Sequence, residues 1–412
     1  MLASLYRLNP QTREGNLKLI FNLINSRNDL TRADLVRITG LSPSTISTLT
    51  DALIKDGLIS ETGVSKVLSS AGRRPLYLSI CPESRQIPVF SISRSGVEYT
   101  LFDLGYNVLA HNFYSYPRKI SRNNNEIGQH SINLIADILL NKENKLDRSR
   151  AVGILISFPG AYFGEDELYI LTALKTSIRK SAIDTLSETT GLKVYMGNCS
   201  KNLAYAEIKQ LDASGSAVKD LIYVNICDGV GAGMIQNGEM LSRSDLVSGA
   251  IGHITIVPGG RKCDCGNRGC LEQYVDARAI IKDVQKALAH NASTPQPFQI
   301  ISDLSAPFTL ETVGRAYDLG IAPVQKVVND VARKLFSGIC SAVCVTGIKY
   351  IVIGGLEPLG FGFLSKMQSL LDGECSRVLM RGVQIMYPKS GKNADSLGLA
   401  QYYIDKEFCI TV

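Results

Sequence analysis

Four metal-binding side chains crowd into residues 253–270: His253, Cys263, Cys265 and Cys270, in the stretch GHITIVPGGRKCDCGNRGCLEQY. One His and three Cys at short spacings make a closed tetrahedral ligand set, the composition of a structural zinc site. Gly260, Gly266 and Gly269 let the loop fold tightly around an ion. A redox pair or a chance cluster is the alternative, and the spacing favours zinc. The protein fills all four positions, which leaves none for a bound water, so the zinc is expected to be structural and not catalytic.

The other cysteines carry no such pattern. Cys81, Cys199, Cys227, Cys340, Cys344 and Cys375 are separated or sit in apolar runs, and Cys409 is near the end. Ten cysteines in 412 residues are not a disulfide scaffold. The opening MLASLYRLNPQTREGN has no long apolar core and no cleavage site. Cys409-Ile410-Thr411-Val412 fits a prenylation box only in outline, because Thr411 is not aliphatic and no polybasic run precedes it. The apolar stretch Ser337 to Gly355 is broken by Lys349 and by glycines before it could span a bilayer. A cytoplasmic chain with reduced thiols and no membrane partner is expected.

Charge is uneven. Residues 1–82 hold ten Lys and Arg against six Asp and Glu, an excess of four, which leaves two of the net +6 for the rest. A mildly basic N-terminal module on a near-neutral body points to a polyanion partner.

Residues 13–57 read as three helices. Leu17, Ile20, Phe21 and Ile24 follow helical spacing. Thr31 caps a second helix with Asp34 three positions on, and Leu35 and Ile38 supply its buried face. Gly40 makes the turn. Ser42 caps a third helix with Pro43 at its first position, and Ile46, Leu49 and Leu53 face inward. This is a helix-turn-helix layout. The third helix offers Ser42, Ser44, Thr45, Ser47 and Thr48 outward, small hydroxyl residues that can approach base edges and phosphates. A generic three-helix bundle would share the periodicity; cap, turn and spacing together favour DNA binding. Leu58–Glu61 and Leu76–Ile80 read as strands of a wing whose far end is Gly72-Arg73-Arg74-Pro75, and Arg73 and Arg74 suit phosphate contact or a narrow minor groove.

After Cys81-Pro82-Glu83-Ser84 the pattern becomes α/β. Strands at 89–92, 99–103 and 108–114 read as a meander, followed by a helix at 127–140 and a buried strand at 151–157. Helices at 181–190 and 203–210 then alternate with strands at 193–196 and 221–226, and a second meander follows at 233–240. A strand-rich start followed by alternating helices occurs twice, which suggests two similar lobes with a cleft between them.

The Gly-His…Cys-x-Cys-Gly-x-x-Gly-Cys-Leu-Glu pattern resembles the signature of the ROK family, named for repressors, open reading frames and kinases, and the winged helix ending in GRRP resembles its repressor branch. The resemblance covers essentially the whole chain. It implies a winged helix-turn-helix over residues 1–82 on a two-lobed actin/hexokinase-like (ribonuclease H-like) body. The first lobe would be 83–200 with 386–412, and the second, 201–385, would carry the zinc site and an oligomer interface. Control of sugar-utilisation genes and a homodimer or tetramer are implied as well.

The catalytic elements of the family's kinases are altered. The family opens the first lobe with an Asp-x-Gly-Gly-Thr phosphate loop; here the matching residues are Ser91-Ile92-Ser93-Arg94-Ser95. The Asp of the family's Asn-Asp pair, the general base, is Cys199. The second phosphate loop reads Cys227-Asp228-Gly229-Val230-Gly231-Ala232-Gly233, with Asp228 beside the expected phosphate. Three departures at three elements argue against phosphoryl transfer. The resemblance assigns sugar contacts to Asn198, His253 and Glu272, which are retained, whereas the Glu of Gly-Glu-x-Gly-His is Ala250. The Ile351–Gly355 strand and glycine turn resembles the family's adenosine-side loop, and Phe158-Pro159-Gly160 a loop near the sugar. The expected function is a DNA-binding regulator, a repressor of carbohydrate-utilisation genes at a palindromic operator, answering to a sugar or sugar derivative and not an enzyme. A sugar kinase with an accessory DNA-binding domain, or a regulator controlled by a protein partner, is the alternative.

Overall fold

The computed structural model describes residues 12–27, 29–64, 76–122, 124–141, 144–227, 229–241, 249–290, 308–373 and 380–408. Arg73 and Arg74, expected at the far end of the wing, and also Asp228, Cys375 and Cys409, lie outside the described residues.

The N-terminal helices form where the caps predict. Helix α1 (Arg13–Ser26) starts at Thr12, whose hydroxyl accepts the Gly15 N–H at 3.0 Å. Strand β1 (Leu30–Thr31) leads into α2 (Arg32–Thr39) through a reciprocal capping box. In it the Asp34 N–H donates to Thr31 Oγ1 at 3.2 Å and the Thr31 N–H donates to Asp34 Oδ2 at 3.0 Å. Gly40, at φ 74°, ends α2 in the left-handed conformation. Ser42 caps α3 (Pro43–Lys55) by accepting the Thr45 N–H at 3.2 Å. Thr31→Ala removes one half of the box and is expected to cost about 1 kcal/mol locally. Amide exchange across residues 32–39 should then run roughly fivefold faster.

Strands β2 (Ile59–Val64) and β3 (Leu76–Ile80) pair antiparallel, and β1 adds to the other side of β3, giving the order β1-β3-β2. Helices α1 and α3 pack Leu17, Ile20, Phe21, Ile46, Leu49 and Leu53 together, all buried. Each such side chain contributes roughly 1.5–3 kcal/mol.

The body has two five-stranded sheets of one topology. In the first, β4 (Gln86–Ile92), β5 (Gly96–Asp103) and β6 (Val108–Ser115) form the meander. Next come α4 (Arg118–Arg122), α5 (Asn124–Leu140) and β7 (Ile154–Phe158), which lies parallel to β4 with Val89 opposite Leu155. A hairpin of β8 (Ala161–Phe163) and β9 (Leu168–Leu171) continues into β10 (Thr176–Arg179). Then α6 (Lys180–Thr190) and β11 (Val194–Asn198) complete the order β11-β7-β4-β5-β6.

The second sheet repeats the scheme. Helix α7 (Cys199–Ala213) precedes β12 (Leu221–Ile226), β13 (Val230–Gln236) and β14 (Glu239–Met240), again a meander. The short α8 (Glu272–Val275), α9 (Ala277–His290), α10 (Leu310–Asp318) and the long α11 (Ala322–Thr346) lead to β15 (Tyr350–Gly354), parallel to β12 with Ile222 opposite Ile351. Helix α12 (Gly360–Gly373) and β16 (Gln384–Met386) complete the order β14-β13-β12-β15-β16. Counted from the first strand of each meander, both sheets read 3-2-1-4-5, the ribonuclease H-like arrangement of actin and hexokinase. Strands β7 and β12 are buried at every residue, as strands covered on both faces must be.

Helix α13 (Ala394–Tyr402) runs into a π-helical turn, Tyr403–Glu407. Contacts divide the chain into one unit of Met1–Phe158, Ile178–Gly197 and Ser396–Val412, and another of Pro159–Ser177 with Asn198–Asp395. The winged helix therefore groups with the first sheet, because its core is continuous with that sheet: Leu17, Ile24, Leu35, Val89, Phe102 and Ile404 belong to one buried cluster. No helix among the described residues is long and apolar enough to cross a membrane. The apolar stretch from Ser337 is the end of α11 and then β15, parted by Gly347.

Candidate functional site

The metal-binding side chains come together as their spacing predicts. One ligand atom from each of His253, Cys263, Cys265 and Cys270 lies within 4.8 Å of the others. Cys265 Sγ and Cys270 Sγ are 3.7 Å apart, and Cys263 Sγ is 3.7 Å from His253 Nδ1. A tetrahedral ion with bonds of about 2.3 Å to sulfur sets its sulfurs about 3.8 Å apart, so the donor set fits such an ion. Cys263 and Cys270 are buried, and Cys265 is exposed. Burial pushes the Cys270 thiol up to about 12, whereas the Asn267 backbone N–H holds the Cys265 thiol below its ordinary range. Crowded thiols keep their protons unless a cation takes their place.

The loop around this cluster is held by several contacts the sequence did not announce. Gln273 Nε2 donates to Cys263 Sγ at 3.6 Å. Arg261 Nη2 donates to both carboxylate oxygens of Asp283, at 2.8 and 2.7 Å, and its guanidinium lies 4.7 Å from the Tyr274 ring centroid. Lys175 reaches Asp264 at 2.8 Å. Gly269 has φ 80°, and a Cβ there would fall 1.7 Å from the Val257 carbonyl oxygen, so only glycine fits immediately before Cys270.

The residues assigned to a sugar lie close to this cluster. Glu272 opens α8 two residues after Cys270, and its Oε2 accepts the Val230 N–H at 3.0 Å. Gly252, beside His253, packs against the Val230 carbonyl. The hairpin start at Val230 thus ties Glu272 to the His253 turn. With Nδ1 nearest the sulfurs, His253 keeps Nε2 for a hydrogen bond elsewhere. Asn198 is committed locally: its Oδ1 caps α7 by accepting the Lys201 N–H at 3.1 Å, and its Nδ2 donates to the Gly160 carbonyl at 2.7 Å. Helix α7 reaches the same hairpin, since a Cβ on Gly233 would strike the Ser200 carbonyl oxygen at 2.3 Å.

The positions of the kinase elements carry other chemistry. Cys199 Sγ lies 3.7 Å from Asn225 Nδ2 and 4.0 Å from Ser200 Oγ, and burial pushes its thiol well above the ordinary cysteine range. A thiol held protonated cannot act as a base at neutral pH. Ser91 Oγ pairs with Ser396 Oγ at 3.2 Å. The Gly355 N–H, at the glycine turn after β15, donates to Glu357 Oε2 at 2.7 Å, so an acidic side chain already holds that amide.

On the winged helix, Ser42, Ser44 and Thr48 are exposed, while Thr45 and Ser47 are half-buried. Ser42 Oγ lies 2.9 Å from Ser44 Oγ and 2.8 Å from Thr45 Oγ1, a hydroxyl cluster at the start of α3. The basic side chains nearby are largely paired. Arg32 contacts Asp51 at 2.7 Å and Glu61 at 3.0 Å, and Arg37 contacts Asp34 at 2.7 Å.

Residues 94–406 match the ROK family. The chain belongs to the ROK family. Residues 13–60 match the winged helix-turn-helix DNA-binding family, so this ROK protein carries the DNA-binding module that its sequence implies. It is 27% identical over 346 residues to the DNA-binding transcriptional dual regulator NagC of Escherichia coli (strain K12), covering 83% of this chain and 80% of that one. It is 25% identical over 398 residues to the xylose repressor of Bacillus subtilis (strain 168), covering 95% and 96%. The crystal structure of a ROK family transcriptional regulator, a homologue of the E. coli MLC protein, superposes with a TM-score of 0.77 at 23% identity, covering 95% of this chain and 97% of that one.

Proposed function

We propose that this ROK protein is a sugar-responsive transcriptional repressor whose body has no kinase activity. The observation that supports the reading is a winged helix-turn-helix match ahead of a ROK body, in a chain similar to the xylose repressor along nearly its full length. Residues 1–82 read DNA, through Ser42, Ser44, Thr45, Ser47 and Thr48 on α3 and Arg73 and Arg74 on the wing. The lobes 83–200 with 386–412 and 201–385 receive the effector.

His253, Cys263, Cys265 and Cys270 would hold zinc. When bound, the ion fixes their positions and carries no reaction step. His253 and Glu272 then offer a donor and an acceptor to sugar hydroxyls, and Asn198 stabilises the start of α7. Relatives named for N-acetylglucosamine and for xylose support a sugar or amino sugar as the effector class. A single recognition helix per chain points to a two-fold homo-oligomer on a palindromic operator.

Genome-wide mapping of bound DNA tests the regulator reading: peaks should fall beside carbohydrate-utilisation genes, and a protein that enriches no DNA would overturn it. A coupled assay with hexoses, amino sugars and pentoses, ATP and magnesium tests the absence of kinase chemistry. It should stay at background, because Cys199 and Ser91 replace the acidic groups; turnover near ~1 per second would restore the kinase alternative.

A further inference from the structure

Helix α1 is buried along eight consecutive residues, Leu17 to Ile24. An amphipathic surface helix keeps one polar face in water, and this one does not. Its apolar side fills the head's own core. The other side carries Lys18 and Asn22, 6% and 1% exposed, four residues apart and therefore on one face.

Both reach the turn that ends α13. Lys18 Nζ donates to the carbonyls of Ile404 and Phe408, each at 2.5 Å, and lies 5.5 Å from the Phe408 ring centroid. Asn22 Nδ2 donates to the Asp405 carbonyl at 3.0 Å. These carbonyls belong to the π-helical turn and the residue after it, where the helix runs out of its own donors. A lysine at a helix C-terminus satisfies such carbonyls and meets the negative end of the dipole. The turn is itself anchored on the first sheet's side: Tyr403 donates its hydroxyl to the Val152 carbonyl at 3.1 Å, and its ring lies 5.4 Å from that of Tyr195 on β11.

A buried ammonium is unfavourable unless it is hydrogen-bonded. Lys18 donates hydrogen bonds to the Ile404 and Phe408 carbonyls, so its burial is tied to the junction. Asn22 Oδ1 has no hydrogen-bond partner among the described residues, which leaves the junction less than fully satisfied and so releasable.

We infer that Lys18 and Asn22 are positioning residues for DNA binding, latching the winged helix to the C-terminal turn and thereby fixing the direction in which α3 is presented. The inference rests on the DNA-binding reading and adds to it the element that orients the head. A two-fold repressor must present two recognition helices about one helical turn of DNA apart. A head released from its latch lowers the effective concentration of the second half-site contact without altering the first.

Full-length Lys18→Met keeps an unbranched apolar stem and removes the ammonium. Amide exchange is expected to rise at least tenfold in residues 13–26 and 396–408, with β12 and β15 unchanged as an internal reference. On DNA selected from a random pool by the parent, affinity for two half-sites should fall roughly tenfold and affinity for one half-site should stay within about twofold. Asn22→Leu should shift both readouts in the same direction by less. Unchanged exchange in 396–408 overturns the latch. Equal loss on one and two half-sites shows a damaged head and overturns the positioning role. If the parent selects no DNA, the DNA-binding reading falls, and the exchange measurement alone still judges the latch.

Discussion

Cys265→Ser is expected to empty the metal centre. A serine hydroxyl is a poor zinc ligand at neutral pH, and three remaining ligands leave an open, weak site. Hydrogen bonds and ion pairs also hold the loop, but none of them gathers all four ligands as an ion would. Backbone bonds link Ile256 to Gly269 at 2.9 Å, Cys263 to Asn267 at 2.8 Å and Gly269 to Arg261 at 2.8 Å, and Arg261 braces it against α9. Cys265 itself is exposed, so the substitution leaves no cavity, and any loss of stability comes from the ion. Linkage gives the scale: a ligand present at a thousandfold excess over its dissociation constant stabilises by about 4 kcal/mol. The second unit should therefore unfold several degrees earlier. Effector response should disappear as well, because Glu272 starts α8 two residues after Cys270 and its carboxylate holds Val230. The winged helix groups with the first sheet in the other unit, and its fold should survive. Metal analysis decides the matter. One zinc per parent chain and almost none in the variant is the expected result. Full occupancy in the variant, or none in parent protein prepared under reducing conditions without chelator, would remove the assignment.

The parts legible in the sequence are those in which a local pattern has one structural solution. Thr31 with Asp34, and Ser42 with Pro43, fix two helix starts, because few side chains can satisfy the orphan N–H groups there. The Cys and His spacing fixed the four-residue cluster for the same reason. The strand-rich start of each lobe was legible because β7 and β12 are mostly apolar, broken only by Ser157 and Asn225, although the second meander begins at Leu221 with β12 and not at 233. The hairpin of β8 and β9 was missed: strands of three and four residues, half-buried for the most part, show no alternation long enough to read. The burial of Lys18 and Asn22 was not legible, since periodicity reports how a helix meets its nearest neighbours and not what arrives from nearly four hundred residues away. Asn198 also caps α7 and bonds Gly160, a structural role that no motif displays and that leaves one amide N–H and one lone pair over.

Replacing both Arg73 and Arg74 by alanine should produce the largest change in DNA affinity. The reason lies in the charges around α3. Arg32 and Arg37 already face carboxylates, Arg27 lies 3.5 Å from Asp29, and Lys18 is buried. The hydroxyl cluster at the start of α3 can read bases but supplies no charge to offset phosphate repulsion. Arg73 and Arg74, expected on the wing from the sequence, are proposed as the source of that charge. Each phosphate contact contributes about 0.9 to the salt slope, so losing two should flatten it by about 1.8. Referred to 1 M salt, that is roughly a sixtyfold loss of affinity at 0.1 M. The two roles open to these residues separate cleanly. Phosphate contacts weaken binding to every sequence equally. Minor-groove insertion weakens it most where flanking A·T runs narrow the groove, so mutating those flanks to G·C should matter for the parent and not for the variant. Titration of both proteins on one operator over a range of salt measures the slope and the affinity together; if neither changes, the wing does not touch DNA.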